Sequence, residues 1–158
     1  MTATTDAAAT REHELVITRL LDAPRLLVFR AWTMPEHFTR WWGPRGFTTV
    51  SCKAEVRPGG AWHRVMRSPD GFDYRSRGVY HEIVEPERVV FSFVWEDHPE
   101  LAEQEMLVTV TLLGRGDKTE LTLRQAPFTT VEAREGHRRG WGGSLDRLAD
   151  YLAAGNIS

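Results

Sequence analysis

The feature that most constrains this chain is a series of six strand-like segments with short turns, which ends at one long amphipathic helix. From Phe47 onward, apolar and polar residues alternate along the segments, a pattern typical of strands with one buried face. Turn sequences such as Pro58-Gly59-Gly60 and Pro69-Asp70-Gly71 separate the segments. Because the connections are short, the pattern predicts that successive strands pair as an antiparallel meander.

One further strand and two short helices are expected before the meander. Glu14–Leu21 is the strand, and Pro24 lies in the first turn of the helix that follows. A capping-box pattern, Thr33-x-x-Glu36, predicts the start of the second helix. A similar pattern, Thr129-x-x-Glu132, predicts the start of the long helix, which runs to about Leu152.

A single sheet has an apolar face that another element must cover, and the long helix is the only element large enough to do so. We therefore expect an α+β fold in which a curved antiparallel sheet wraps around the C-terminal helix. The length of 158 residues fits one domain. We place that domain at residues 12–158 and expect residues 1–11 to be a disordered N-terminal tail.

Composition excludes several classes of function. The 20 basic and 22 acidic residues give a net charge of −2, which argues against a general nucleic-acid-binding protein. No apolar run approaches the ~20 residues of a membrane helix, and the N-terminus lacks the pattern of a signal peptide. One cysteine, Cys52, cannot form an intrachain disulfide. We expect a cytoplasmic protein that binds neither nucleic acid nor a membrane.

Several motifs follow one another between residues 14 and 154. They are Ala23-Pro24, Val28–Trp32, Pro35-Glu36, Trp41–Pro44, Arg57–Gly60, Asp70-Gly71, Gly78–Tyr80, Glu82–Val90 and Gly140-Trp141, with Leu145 and Leu148. In this order they resemble the START-like superfamily, also called SRPBCC, which has a helix-grip fold. The branch that the motifs resemble most is that of the activator of a heat-shock-protein ATPase, the Aha-type domain.

This resemblance implies a cavity between sheet and helix that binds apolar or amphipathic molecules. Members of the superfamily include lipid carriers, hormone receptors, aromatic polyketide cyclases and the co-chaperone itself. The co-chaperone has two domains, and this chain has no room for the second one. The fold alone therefore leaves the function open.

The inward face of the long helix changes character along its length. It is polar and aromatic at Arg134, His137 and Trp141, and aliphatic from Leu145 to Leu152. We expect the aliphatic half to pack as core and the other half to cover a cavity. Four glycines lie near the cavity half, namely Gly136, Gly140, Gly142 and Gly143. Each costs about 1 kcal/mol relative to alanine, which either close packing or space for a ligand would explain.

The strands supply the opposite wall. Phe93 and Trp95 share a face of one strand. On another strand, Trp62, Arg64 and Met66 share a face opposite Ala61, His63 and Val65, and the sequence does not decide which set points inward. Gln125 and His137 are the expected polar groups that orient a ligand. The predicted ligand-binding residues are Trp62, Met66, Phe93, Trp95, Gln125, Arg134, His137, Trp141 and Leu145.

Signals for other chemistry are weak. The six histidines form no metal-binding pair, and Cys52 lies in the apolar set of its strand, as a buried thiol would. The sequence contains no nucleophile elbow and no phosphate-binding loop. We therefore expect no metal, no cofactor and no catalytic constellation. We expect at least one of Trp41 and Trp42 to pack under the rim of the sheet, and the other to line either the cavity mouth or a partner surface. Residues 98–104 are a candidate gate.

Three hypotheses follow from the sequence. The first is a binding protein whose internal cavity holds an apolar or amphipathic molecule, either lipid-like or polyketide-like. The second is a cyclase or hydrolase that uses the same cavity, with His137 as proton carrier. The third is a co-chaperone-like module that stimulates a heat-shock ATPase through an exposed apolar patch. A chaperone and a second copy of the chain remain candidate partners.

Overall fold

The computed structural model describes residues 13–96, 105–155 and 157. Its seven strands are β1 (Leu15–Leu21), β2 (Thr48–Ala54), β3 (Ala61–Arg67), β4 (Asp73–Val84), β5 (Arg88–Trp95), β6 (Met106–Arg115) and β7 (Lys118–Ala126). Its helices are α1 (Arg25–Thr33), α2 (Pro35–Trp41) and α3 (Val131–Ala153). The expected order of elements is confirmed.

The seven strands form one antiparallel sheet in the order β1-β7-β6-β5-β4-β3-β2. Strands β2 to β7 are the expected meander. Strand β1 pairs with β7, so the first strand of the chain extends the far edge of the sheet. The α+β class and the arrangement around a long C-terminal helix are confirmed.

Helix α3 buries its aliphatic stripe as the sequence predicts. Leu145 and Leu148 are completely buried, and Leu152 is nearly so. They belong to the same apolar core as the inward residues of the sheet and the buried residues of α1 and α2. Burying a side chain of this size stabilises the fold by about 1.5–3 kcal/mol. The C-terminal half of α3 therefore anchors the helix to the sheet.

Both predicted capping boxes are displaced by one residue. Thr33 is the last residue of α1, where its hydroxyl donates to the carbonyl of Phe29, and Met34 is the N-cap of α2. Helix α3 begins after Thr130, whose side chain accepts from the backbone N–H of Ala133. Thr129 and Thr130 are equally suited to cap α3, so the sequence pattern alone did not decide between them.

The structure decides which face of β3 points inward. Trp62, Arg64 and Met66 are all buried. Val65, on the other face, is also buried. The expected alternation of β2 is interrupted by an irregularity between Thr49 and Ser51.

That irregularity and the edge position of β2 change the burial of its side chains. Val50 is exposed, and Cys52 is half-buried rather than buried. An edge strand has a neighbour on one side only, so its apolar side chains lose part of their cover. The prediction that the Cys52 thiol is buried is therefore wrong.

Candidate functional site

A pocket of about 300 Å³, partly open to solvent, lies between the sheet and the N-terminal half of α3. Its floor is formed by Met66, Tyr74, Phe93 and Trp95 of strands β3 to β5. The rings of Tyr74 and Phe93 each meet Trp95 edge to face, with centroids 6.2 and 5.0 Å away. These contacts fix the floor as an ordered aromatic surface.

A short segment after α2 forms one side of the pocket through Trp42, Gly43, Pro44 and Phe47. We call residues 42–47 the rim segment. Its backbone passes through a positive φ of 100° at Gly43, a conformation that glycine adopts without strain. Trp42 is 4% exposed, so it is a wall of the pocket and not an exposed anchor.

Two side chains of α3 hold the rim segment in place. The Nη1 atom of Arg147 lies 3.0–3.3 Å from the carbonyl oxygens of Trp42, Gly43, Pro44 and Phe47. The hydroxyl of Ser144 accepts from the backbone N–H of Gly43 at 3.0 Å. Burial lowers the pKa of Arg147, with a smaller contribution from the charge of Arg45. The guanidinium thus ties the rim segment to the helix.

Helix α3 forms the roof, and its glycines differ in what surrounds them. Gly136 and Gly140 line the pocket, and a Cβ atom on Gly140 would meet only the Pro44 Cγ atom, at 4.0 Å. A Cβ atom on Gly143 would lie 3.2 Å from the backbone Cα of Pro44. Close packing therefore explains Gly143, whereas space in the pocket explains Gly140.

His137 links the roof to the floor. Its Nε2 atom is 2.9 Å from the indole Nε1 of Trp95, and its Nδ1 atom is 2.8 Å from the carbonyl oxygen of Ala133. An indole N–H only donates, so Nε2 must accept and Nδ1 must carry the proton. Both nitrogens of the neutral imidazole are therefore engaged within the protein.

Burial lowers the pKa of His137, while its hydrogen bond to the Ala133 carbonyl raises it by less. The imidazole is therefore neutral at physiological pH. Protonation would place an N–H against the Trp95 N–H and break the link between roof and floor. In this arrangement His137 positions Trp95 and does not have a free nitrogen to carry a proton.

The inner end of the roof is fixed by a second buried hydrogen bond. Trp141 donates from Nε1 to the side-chain oxygen of Gln125 at 2.7 Å. Gln125 is completely buried and donates to the Met106 sulfur at 3.4 Å. Gln125 therefore lies behind Trp141 and orients its ring, and it does not line the pocket.

The structure brings five of the nine predicted ligand-binding residues together. Those lining the pocket are Met66, Phe93, Trp95, His137 and Trp141. The other four lie outside its lining. Trp62 packs edge to face against Phe91, and Leu145 is in the core. Gln125 lies behind Trp141, and Arg134 shares the carboxylate of Glu135 with Arg138.

Sequence reasoning did not single out Tyr74, Phe47 and Pro44, which also line the pocket. Tyr74 pairs with Met66 across β3 and β4, so the register would have identified it. The alternation of β4 carries that signal, but only once its partner strand and inward face are known. The rim residues belong to no periodic element and carry no such signal.

The remaining predictions concern metal binding, membrane spanning, the gate and the tail. Within residues 13–96, 105–155 and 157, no group of three His, Cys, Asp or Glu side chains could hold a metal ion. No helix in the same ranges is long and apolar enough to span a bilayer. The candidate gate at residues 98–104 and the expected tail at residues 1–11 lie outside the described residues.

A seven-stranded antiparallel sheet packed around a long C-terminal helix, with a pocket between them, defines a helix-grip protein of the α+β class. The family model of activator of Hsp90 ATPase homolog 1-like proteins matches residues 22–153. The chain therefore belongs to this family, and the resemblance seen in its motifs is confirmed.

Solved structures agree with this assignment. The AHSA1 protein of Silicibacter pomeroyi is 25% identical, with a TM-score of 0.80 over 89% of this chain and 98% of that one. A protein from Chromobacterium violaceum is 27% identical, with a TM-score of 0.78 over 87% and 95%. CalU16 from Micromonospora echinospora is 26% identical, with a TM-score of 0.63 over 88% and 75%. Among curated proteins, none matches the chain.

Proposed function

We propose that the protein binds a small apolar or aromatic molecule in the pocket between its sheet and α3. The observation that carries this proposal is the chemistry of the walls. They are largely aromatic, and the polar atoms of His137, Trp141 and Ser144 are already paired within the protein. Such walls favour apolar surface over water.

The size of the pocket narrows the ligand class. Its volume of about 300 Å³ is at the lower end of the range of ligand pockets. A molecule of one or two aromatic rings, or a short amphipathic one, fits this volume. A long-chain lipid would have to leave much of its length in solvent.

The glycines of the roof support the same proposal. Gly140 weakens the helix by about 1 kcal/mol relative to alanine, yet no neighbour is close enough to require a missing side chain. A side chain at this position would instead occupy the pocket beside Pro44. Selection for an open pocket would explain a residue that folding alone does not favour.

Two measurements test the proposal. Native mass spectrometry of freshly purified protein should show a discrete extra mass that disappears on denaturation. Isothermal titration with 2-naphthamide, a neutral two-ring probe, should show saturable 1:1 binding. Gly140→Leu should abolish that binding, whereas Gly142→Leu, which points toward the end of the Arg19 side chain, should preserve it. Absence of binding to the wild type, or undiminished binding to Gly140→Leu, would contradict the proposal.

The two alternative functions lack comparable support from the described residues. The cyclase or hydrolase hypothesis needs His137 as proton carrier, but both of its nitrogens are engaged. The co-chaperone hypothesis relies on an exposed Trp41-Trp42 pair, but these side chains are 0% and 4% exposed. We therefore rank small-molecule binding above both.

A further inference from the structure

A buried cation lies next to the floor of the pocket. Arg64 is 3% exposed, and its Cζ atom is 4.0 Å from the ring centre of Phe38 and 4.5 Å from that of Trp62. Its Nη2 atom donates to the hydroxyl of Tyr80 at 2.8 Å. No carboxylate of the described ranges forms a salt bridge with it. The guanidinium is a cation, so the described part of the chain contains a buried positive charge without an acidic partner.

Buried polar atoms without partners surround this charge. Arg64 pairs with Ser76 across β3 and β4, and Trp62 pairs with Gly78 in the same ladder. Arg64 Nε, Ser76 Oγ and Trp62 Nε1 are all buried without a hydrogen-bond partner among the residues that the structure describes. Aromatic rings stabilise the charge of a guanidinium, but they leave its remaining N–H groups unsatisfied. We call Trp62, Arg64 and Ser76 the donor cluster.

The strand register places the donor cluster beside the pocket floor. Met66 and Tyr74 form one cross-strand pair of that floor, and Arg64 and Ser76 form the next pair on the same face. Neighbouring pairs on one face are about 7 Å apart. Ser76 also pairs with Trp95, a third floor residue. None of the three side chains of the donor cluster lines the pocket, so the side chains of the floor separate the cluster from the pocket.

We propose that the molecule bound in this pocket carries an acidic group, which is directed toward the donor cluster. This inference rests on the proposed function and specifies its ligand class. A carboxylate in the pocket would supply the missing counter-charge to Arg64 across the floor, where the protein interior weakens the attraction far less than water would. The first turn of α3, which lines the pocket at Glu132 and Ala133, adds the positive end of a helix dipole. The Glu132 carboxylate is exposed, where solvent and salt screen it.

A matched pair of probes tests this inference. The two probes, 2-naphthoate and 2-naphthamide, have the same rings and nearly the same shape, and only the first is charged. The wild type should bind naphthoate at least about tenfold more tightly, because the apolar floor screens the charge of Arg64 only weakly. Arg64→Met should remove this preference and keep the affinity for naphthamide. Arg115→Met removes an equal but exposed charge and should leave the preference intact.

The remaining outcomes distinguish the proposal of an acidic ligand from the proposed function. Equal or tighter binding of naphthamide by the wild type would overturn the acidic ligand but leave the proposed function standing. Failure of both probes to bind would contradict the proposed function itself. If the preference for naphthoate persists in Arg64→Met, or disappears at high ionic strength, exposed charges cause it. Either result would refute the role of the donor cluster. If Arg64→Met does not fold, Arg64→Gln decides, because a preference for naphthoate that persists in that neutral variant would contradict the proposal.

Discussion

Gly140→Leu should make the protein more stable and, at the same time, unable to bind its ligand. Glycine in a helix interior costs about 1 kcal/mol relative to alanine, and leucine is nearly as favourable as alanine. The Cβ atom of the new side chain would lie 4.0 Å from the Pro44 Cγ atom, an ordinary contact, and the atoms beyond it would extend into the pocket. We expect the free energy of unfolding to rise by just under ~1 kcal/mol, which corresponds to about 2–4 °C in Tm for a chain of this size.

The opposite signs of the two effects make this prediction informative. Most substitutions that abolish binding also destabilise the fold, which confounds their interpretation. Thermal unfolding followed by circular dichroism measures stability, and titration with 2-naphthamide measures binding. Gly142→Leu is the matched control, because it should gain similar stability and keep its affinity. A destabilised Gly140→Leu would refute our reading of the space at this position, and retained binding would refute the site.

Three further predictions concern the supports of the pocket. Gly143→Ala should lower the free energy of unfolding by about 1–3 kcal/mol despite the better helix propensity of alanine, because the new Cβ atom would lie 3.2 Å from Pro44 Cα. Urea unfolding measures this change, and a stabilised variant would contradict the prediction. Burial lowers the pKa of His137, so the unfolded chain binds a proton that the folded chain resists. Stability should therefore fall as the pH drops below about 6.5, down to the folded pKa, and His137→Gln should flatten this part of the pH profile. Arg147→Met should weaken naphthamide binding by about tenfold, because the hydrogen bonds from Arg147 to the rim segment are lost. The far-ultraviolet circular dichroism spectrum should stay unchanged. Unaltered affinity would show that the rim segment keeps its position without Arg147.

The positions of helix ends show where local signals become ambiguous. Thr129 and Thr130 are chemically equal candidates for the cap of α3, and the structure uses Thr130. Thr33 has the sequence of a cap but ends α1, where its hydroxyl bonds to the preceding turn. Capping depends on the backbone angle at the junction. That angle is set by how the helices pack, and the sequence pattern does not specify it.

Only some residues of the pocket were predictable, because a sequence pattern describes one element and the pocket lies between several. The inward stripe of α3 identified His137 and Trp141, because a helical period relates residues on one element. It also included Leu145, which lies beyond the inner end of the pocket, and Arg134, which lies between the lining residues Ala133 and Gly136 but pairs with Glu135. A helical period shows which side chains share one face of α3. It does not show how far along the helix the opposite wall of the pocket extends. Gln125 was expected to orient a ligand, whereas it accepts a hydrogen bond from Trp141.

The sequence by itself determined the strands, the helices, the meander and the aliphatic half of α3, because each follows from contacts between residues close along the chain. Tertiary structure decided which face of β3 points inward and where β1 joins the sheet. It also decided the partners of His137, whose hydrogen bond to Trp95 joins residues 42 positions apart. Long-range pairs of this kind depend on register and curvature, which no local pattern encodes. The buried charge of Arg64, without a counter-ion in the described residues, became visible only when both were known.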